Sequence, residues 1–246
     1  MLEGMYAAAS GMEAQQQQLD SIGNNLANLS TTGYKAQRTG FRDLLYNQVD
    51  IAGTTTSLGA GAAAQTIGND QSQGTLQSTG NPLDLAIEGP GFFTVKRSGG
   101  AIALTRNGAF EIDSRGRLTT AEGDLLQPPI TLPKGASLDE VAIGPDGTVR
   151  AAGKTIGKLA LVTVAAPDRM LADGSSLLSP TAASGAPRVG GQSIRSAIRQ
   201  GALEGSNVDV SSQMVQMVSA QRNYQLESSA IQTENQMLSI ANQLRS

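Results

Sequence analysis

The chain has 246 residues and a net charge of -3, with 39% hydrophobic and only 3% aromatic residues. It contains no Trp, His or Cys, so the core has to be built from Val, Ile, Leu and Ala, and the commonest general base, metal ligand and thiol nucleophile are all missing. The mild acidity and the lack of any Lys/Arg run exclude a basic field for nucleic acid, and the absence of Cys excludes disulfide staples.

The length is enough for one large domain or two modest ones with a real core. No run approaches the roughly 18 apolar residues that cross a bilayer. Met1-Leu2-Glu3-Gly4 lacks the basic and apolar regions of a secretory signal, so any export uses another route.

The first expected element is a helix from Leu2 to about Leu29. Met5, Met12, Leu19 and Leu26 recur at every seventh position, with Ala8, Gln15, Ile22 and Leu29 between them. So narrow a stripe needs a partner helix, either the other terminus or a neighbouring copy. Asn24, Asn25 and Asn28 weaken this helix, and Thr31-Thr32-Gly33 stops it. Phe41, Leu44 and Leu45 suggest a short amphipathic piece. From Val49 to about Gly80 the composition of Gly, Ala, Thr, Ser, Gln and Asn reads as an extended arm.

From Leu83 the chain becomes a series of short expected strands: Leu83 to Ile87, Phe92 to Val95, Ile102 to Thr105, Ala109 to Asp113, Arg117 to Thr119, Leu125 to Gln127, Val141 to Ile143 and Thr148 to Arg150. Ser98-Gly99-Gly100, Asn107-Gly108 and Pro145-Asp146-Gly147 are turn signals between them. Lys158 to Val164 is the most apolar strand, and Thr181 to Gln192 reads as a loop. Closely spaced turns without intervening helices argue for an antiparallel barrel or sandwich. A second long helix follows Asn207, with Asn207 or Asp209 as its N-cap. Met217, Tyr224, Ile231 and Leu238 repeat the seven-residue spacing there, and Met214 joins the same seam.

The expected fold class is therefore α+β. Long terminal helices form a coiled-coil-like core domain (residues 1–34 and 207–246), followed by an extended Gly/Ala/Thr-rich arm (35–80) and a central antiparallel β domain (81–206). Gln15 on one seam and Gln221, Ser228 and Asn235 on the other interrupt the apolar pattern, as register-setting residues do.

Chemistry finds little footing. Gly153-Lys154-Thr155 ends like a phosphate-binding loop, but its upstream glycine, Gly147, is misplaced and a strand follows. Gly59 to Ala64 fits a relaxed dinucleotide fingerprint without the strand and helix that would make it one. The adjacent Asp139 and Glu140 point to opposite faces of a strand, which does not make an acid/base pair. Asn28-Leu29-Ser30 matches a glycosylation acceptor of a kind common by chance. No residue set asks for a cofactor, a metal or a small-molecule substrate.

Ordered motifs carry a resemblance. Leu2-Glu3-Gly4-Met5-Tyr6, Asn24-Asn25-Leu26-Ala27-Asn28 and Ser30-Thr31-Thr32-Gly33-Tyr34-Lys35 resemble the N-terminal signature of bacterial flagellar rod and hook proteins. Ala86 to Phe93, with Gly91, Phe92 and Phe93, and Thr105 to Phe110 resemble the opening of that family's β domain. Leu203-Glu204-Gly205-Ser206-Asn207-Val208-Asp209 and Gln221 to Tyr224 resemble its C-terminal signature. The resemblance implies a structural subunit whose paired terminal helices pack in a tubular core beneath an outer β shell. It implies as partners further copies of the chain, neighbouring rod and hook proteins, ring proteins around the rod, and the flagellar type III export apparatus. The arm between Tyr46 and Phe92 is shorter than in the family's distal rod members, which leaves the member open. The readings set against it are another axial subunit of hook type, a secreted adhesin with a partner-binding β domain, and an enzyme working with carboxylates alone.

Overall fold

The computed structural model describes residues 2–44, 46–51, 54–59, 61–133, 138–190 and 196–245. Leu45 of the expected amphipathic piece and Ala60 of the glycine-rich stretch lie outside them. The chain divides into two compact units, one of Met1–Ala27, Gln37–Ile67 and Asp209–Ser246, the other of Asn28–Ala36 and Gly68–Val208.

The first unit holds helix α1 (Leu2–Ala27), strands β1 (Gln37–Asp43), β2 (Tyr46–Ile51) and β3 (Thr54–Gly59), most of β4 (Ala62–Asn69), and helix α2 (Val210–Arg245). β2 and β3 pair antiparallel from Tyr46↔Gly59 to Ile51↔Thr54, and β1 pairs with β4. The stretch read as an arm is thus largely a hydrogen-bonded ribbon. Its β-branched residues Val49, Ile51, Thr54, Thr55 and Thr56 suit strands, although they give no apolar alternation.

α1 is rich in Ala and Gln, which favour helix. α2 starts where Asp209 caps it: Asp209 Oδ1 accepts from the Ser211 amide at 3.0 Å, and the Asp209 carbonyl accepts from the Gln213 amide at 3.0 Å. The helices run antiparallel. A Cβ built on Gly4 would lie 3.2 Å from the Glu234 carboxylate and one on Gly11 2.8 Å from that of Glu227, while Asn25 bonds Gln213.

The expectation of a coiled-coil-like helical core domain is corrected by this arrangement. Among the described residues there are two α-helices, one towards each end of the chain, and the sequence between them is largely β. The side of α2 turned to α1 carries Gln213, Glu227 and Glu234, where a knobs-into-holes seam requires apolar residues. Only Ala14, Ile22, Asn25 and Ala220 are buried among the described side chains of the two helices. The class stays α+β, and the large apolar core belongs to the β unit.

That second unit contains β5 (Leu76–Ser78), β6 (Leu85–Glu88), β7 (Phe93–Lys96), β8 (Ile102–Thr105), β9 (Phe110–Ile112), β10 (Leu118–Thr120), β11 (Leu125–Gln127), β12 (Val141–Ile143), β13 (Thr148–Ala151) and β14 (Lys154–Lys158). It continues through β15 (Val162–Thr163), β16 (Leu171–Ala172), β17 (Leu177–Ser179), β18 (Arg188–Val189), β19 (Ala197–Gln200) and β20 (Ala202–Glu204). A seven-stranded sheet runs in the order β16-β17-β8-β7-β11-β10-β9, beside a three-stranded sheet β12-β13-β14 and the pairs β5–β20, β6–β19 and β15–β18. Its ladders are antiparallel.

Leu85, Ile87, Phe93, Val95, Phe110, Leu118, Leu126 and Val149 form the centre of its core. Phe93 and Phe110 meet edge to face, with centroids 5.2 Å apart and planes at 86°. Two sequence expectations end differently here. The apolar run Lys158 to Val164 is split, since β14 stops at Lys158 and Leu159 turns its amide to the Gly147 carbonyl at 2.7 Å before β15 begins. Asp139 and Glu140 sit in a short 3-10 turn, Leu138–Glu140, and not on a strand.

Phe93→Ala should cost about 3–5 kcal/mol of stability through the cavity it opens beside Phe110. Urea unfolding followed by near-UV circular dichroism checks it, with a lowered midpoint as the expected result.

Candidate functional site

Signature residues far apart in the sequence meet in two polar clusters, one in each unit. In the first unit the cluster is built on Asn25, near the C-terminus of α1. Asn25 is 2% exposed. Its Nδ2 donates to the Gln37 carbonyl at 3.0 Å and its Oδ1 accepts from the Gln37 amide at 2.9 Å, so one carboxamide satisfies both backbone groups at the start of β1. The same Nδ2 reaches Gln213 Oε1 on α2 at 3.3 Å. One side chain therefore joins helix, ribbon and helix.

In the second unit the cluster centres on Glu204, fully buried at the end of β20. Lys35 Nζ donates to its Oε1 at 2.7 Å, Arg106 Nη1 to its Oε2 at 3.0 Å, and the Gly74 amide to Oε1 at 3.0 Å. Two cations against one carboxylate leave positive charge over, and main-chain carbonyls take it up. Lys35 Nζ also donates to the Ser72 carbonyl at 2.6 Å, and Arg106 Nη2 to that of Gly89 at 2.8 Å. The Arg106 guanidinium stands 5.3 Å above the Phe92 ring centroid. Burial pushes both the Lys35 and the Arg106 pKa down, against the pull of Glu204 in the other direction.

The surrounding turns are fitted to this cluster. After α1, the Asn28 carboxamide oxygen accepts from the Thr31 hydroxyl at 3.1 Å, and the chain turns through Gly33 at φ 67°. The Gly33 amide donates to the Glu204 carbonyl at 2.7 Å, and a Cβ there would lie 2.5 Å from the Asn107 nitrogen, so only glycine fits both the angle and the space. Tyr34, half-buried, has its hydroxyl pKa raised by burial. Asn207 Oδ1 accepts from the Ala36 amide at 2.8 Å while its Nδ2 donates to the Asp70 carbonyl at 2.9 Å. Ser206 Oγ accepts from the Val208 amide at 3.3 Å, and Val208 is buried. Gly91 and Phe92 lead into β7, and Phe92 exchanges two backbone bonds with Val162. Asn207 thus serves the cluster, and Asp209 serves the helix.

The seam residues divide between the two helices. Met5, Met12, Leu19 and Leu26 on α1 and Met217, Ile231 and Leu238 on α2 are partly buried, and Ile22 is buried. Leu29 lies beyond the end of α1 and is exposed, as are Met214 and Tyr224. Sequence reading quoted Lys35, Arg106 and Glu204 within motifs but did not join them. The available signal was a single charge in each of Ser30–Lys35 and Thr105–Phe110, and Glu204 beside Asp209 in the third motif. Among the described residues no group of three or more His, Cys, Asp or Glu could hold a metal, and no helix is long and apolar enough to cross a membrane.

Glu204→Gln should leave Lys35 and Arg106 uncompensated and cost about 3–5 kcal/mol, read as a lower urea midpoint of the β unit. Asn25→Ala should cost about 1–3 kcal/mol and speed hydrogen exchange at the Gln37 amide, because both Gln37 backbone groups lose their partner.

Comparison with known proteins bears on these clusters directly. Residues 5–35 match the family described as flagella basal body rod protein, residues 86–151 the flagellar hook protein FlgE/F/G D1 domain, and residues 199–244 the flagellar basal body rod FlgEFG protein C-terminal. Each of the three matched segments supplies one member of the Lys35–Arg106–Glu204 cluster. The flagellar basal-body rod protein FlgG of Borreliella burgdorferi is 37% identical over 263 residues, covering 100% of this chain and 99% of the relative. FlgG of Caulobacter vibrioides is 36% identical, with 100% of both chains covered. The flagellar hook-basal body complex protein FlhP of Bacillus subtilis is 30% identical, also with 100% of both covered. These relatives do not favour an adhesin or a carboxylate enzyme. The chain belongs to the flagellar basal-body rod protein family and is a structural subunit of the flagellar basal body, not an enzyme.

Proposed function

We propose that the chain assembles through its terminal helices into the axial shaft that carries torque to the hook. The observation that carries this reading is the apolar surface left open on α2. Val215, Leu226, Met237, Ile240 and Leu244 are 67%, 69%, 53%, 55% and 84% exposed. Leu226, Met237, Ile240 and Leu244 follow one another at spacings that keep them on one helix face. Closing such a row against another copy stabilises by about 1.5–3 kcal/mol per side chain, repeated at every subunit. Many modest contacts of this kind resist shear, which is the mechanical requirement of a shaft.

The partners in this reading are other copies of the chain, neighbouring rod and hook proteins, and ring proteins around the rod. In this reading export runs through the flagellar type III apparatus, which delivers the subunit to the outer side of the cytoplasmic membrane. The seam residues Met5, Met12, Leu19, Ile22 and Leu26 on α1, with Met217, Ile231 and Leu238 on α2, hold the helix pair, and the outer row of α2 meets the neighbour.

Leu226→Asp and Ile240→Asp should leave the monomer's thermal midpoint within about 1 °C of the parent, since surface changes are worth little. Each should abolish polymer in sedimentation assays and fail to restore swimming in a strain lacking the gene. Leu19→Asp or Ile231→Asp should abolish assembly while leaving the β unit folded. Rods and motility in any of these four strains would contradict the reading.

A further inference from the structure

The helix pair holds carboxylates where the β unit holds apolar side chains, and one of them lacks a partner. Glu227 on α2 lies against Gly11 on α1, and a Cβ on Gly11 would come within 2.8 Å of Glu227 Oε1. The glycine makes the notch in which the carboxylate sits. Glu227 Oε2 is buried and has no hydrogen-bond partner. Gln15 Oε1, one turn along α1 from Gly11, is buried without a partner as well. An ionised carboxylate in such a place loses hydration and gains nothing in return, whereas the protonated form loses much less.

Among the described residues no ion pair reaches Glu227; β1, which packs against α1, carries Arg38, Arg42 and Asp43, and all three are exposed. α1 contains no Lys or Arg, and its residues one turn either side of Gly11 are Ala7, Ala8, Ala14 and Gln15. Its carboxylates are Glu3, Glu13 and Asp20, of which Glu13 and Asp20 are exposed. On α2 the titratable groups nearest along the helix are Tyr224, Glu234 and Arg222; Tyr224 and Arg222 are exposed, and Glu234 lies two turns on, against Gly4. The ribbon meets α1 close by through Gly61 and Ala62, beside Ala7 and Ser10, and brings no charge there.

We propose that Glu227, seated in the Gly11 notch, makes the α1–α2 pair a proton-responsive clasp that tightens as its surroundings acidify. Burial raises the Glu227 carboxyl above its ordinary value of 4.5. A carboxyl held above its unfolded value adds stability that is complete below that value and is lost as pH rises through the raised one. The pair is therefore tightest below pH 4.5 and loosest once pH has risen past the raised value. This property belongs to the single subunit and does not depend on assembly.

The test is thermal melting of the full-length monomer at pH 4, 5, 6, 7 and 8, followed by circular dichroism at 222 nm, for the parent, Glu227→Gln and Gly11→Ala. Glu227→Gln keeps the shape and removes the charge. Gly11→Ala improves helix propensity but fills the notch and turns the carboxylate out to water. Other titrating groups are common to all three proteins and cancel in the comparison. The proposal expects the parent's helix midpoint to fall by about 2 °C more between pH 4 and pH 8 than either variant's does. Parallel pH profiles for the parent and Glu227→Gln overturn it, and so does a Gly11→Ala protein that keeps the parent's full response.

Discussion

A carboxylate buried from all solvent is tolerable only if its charge is met from every side, and in this chain Glu204 sets that requirement. Lys35 reaches it from 169 residues away and Arg106 from 98. Desolvating three charges costs several kcal/mol per ion, which direct ion pairs, the Gly74 amide and two main-chain carbonyls have to offset together. Such a cluster is poor at adding stability and good at rejecting alternatives. A register that misplaced any one strand would strand a charge in the interior. The segment after α1, the turn at Asn107 and the strand before α2 are thereby held in one geometry. Long-range closure of this kind makes for slow folding, since loop entropy is lost before the contacts are gained.

The two units handle polarity in opposite ways. The β unit keeps an aliphatic core around Phe93 and Phe110 and gathers Lys35, Arg106 and Glu204 of its buried charges into one ion cluster. The helix pair places Gln213, Glu227 and Glu234 along its inner side and leaves Leu226, Met237 and Ile240 on its outer side. A pair so arranged is weakly held in the free subunit and has most to gain from a neighbour. That distribution suits a family whose members are parts of a larger assembly, and it is the reverse of what a self-contained enzyme needs.

Much of the framework was legible from residue order. Seven-residue spacing marked both helices, Asn207 or Asp209 marked the start of the second, where the cap is Asp209, and turn residues marked Ile102–Thr105, Leu125–Gln127 and Val141–Ile143 to the residue. The ribbon from Gln37 to Asn69 was not legible, because its Thr, Ala and Gly residues pair through the backbone and show no apolar alternation. The coiled-coil expectation failed for a physical reason of the same sort. Spacing locates a stripe, but Glu227 and Glu234 occupy the side facing α1, and carboxylates there cannot fill holes. The Glu204 cluster was hidden because single charges separated by such distances look like solvated surface, and only the fold brings them together. The motifs of the family resemblance did contain all three of its members.

Native-state hydrogen exchange at the amides of Gly33, Ala36, Gly74 and Gly205 tests the central role of this cluster most directly. These groups donate to Glu204, Asn207 and the Thr75 carbonyl, at the places where the three segments close on one another. If the cluster locks the β unit, they exchange only through global unfolding, with the same opening free energy as core amides of β7 and β8. Exchange through local opening at these four amides, while β7 and β8 stay protected, would contradict the account and reduce the ion cluster to a passenger on an already folded sheet.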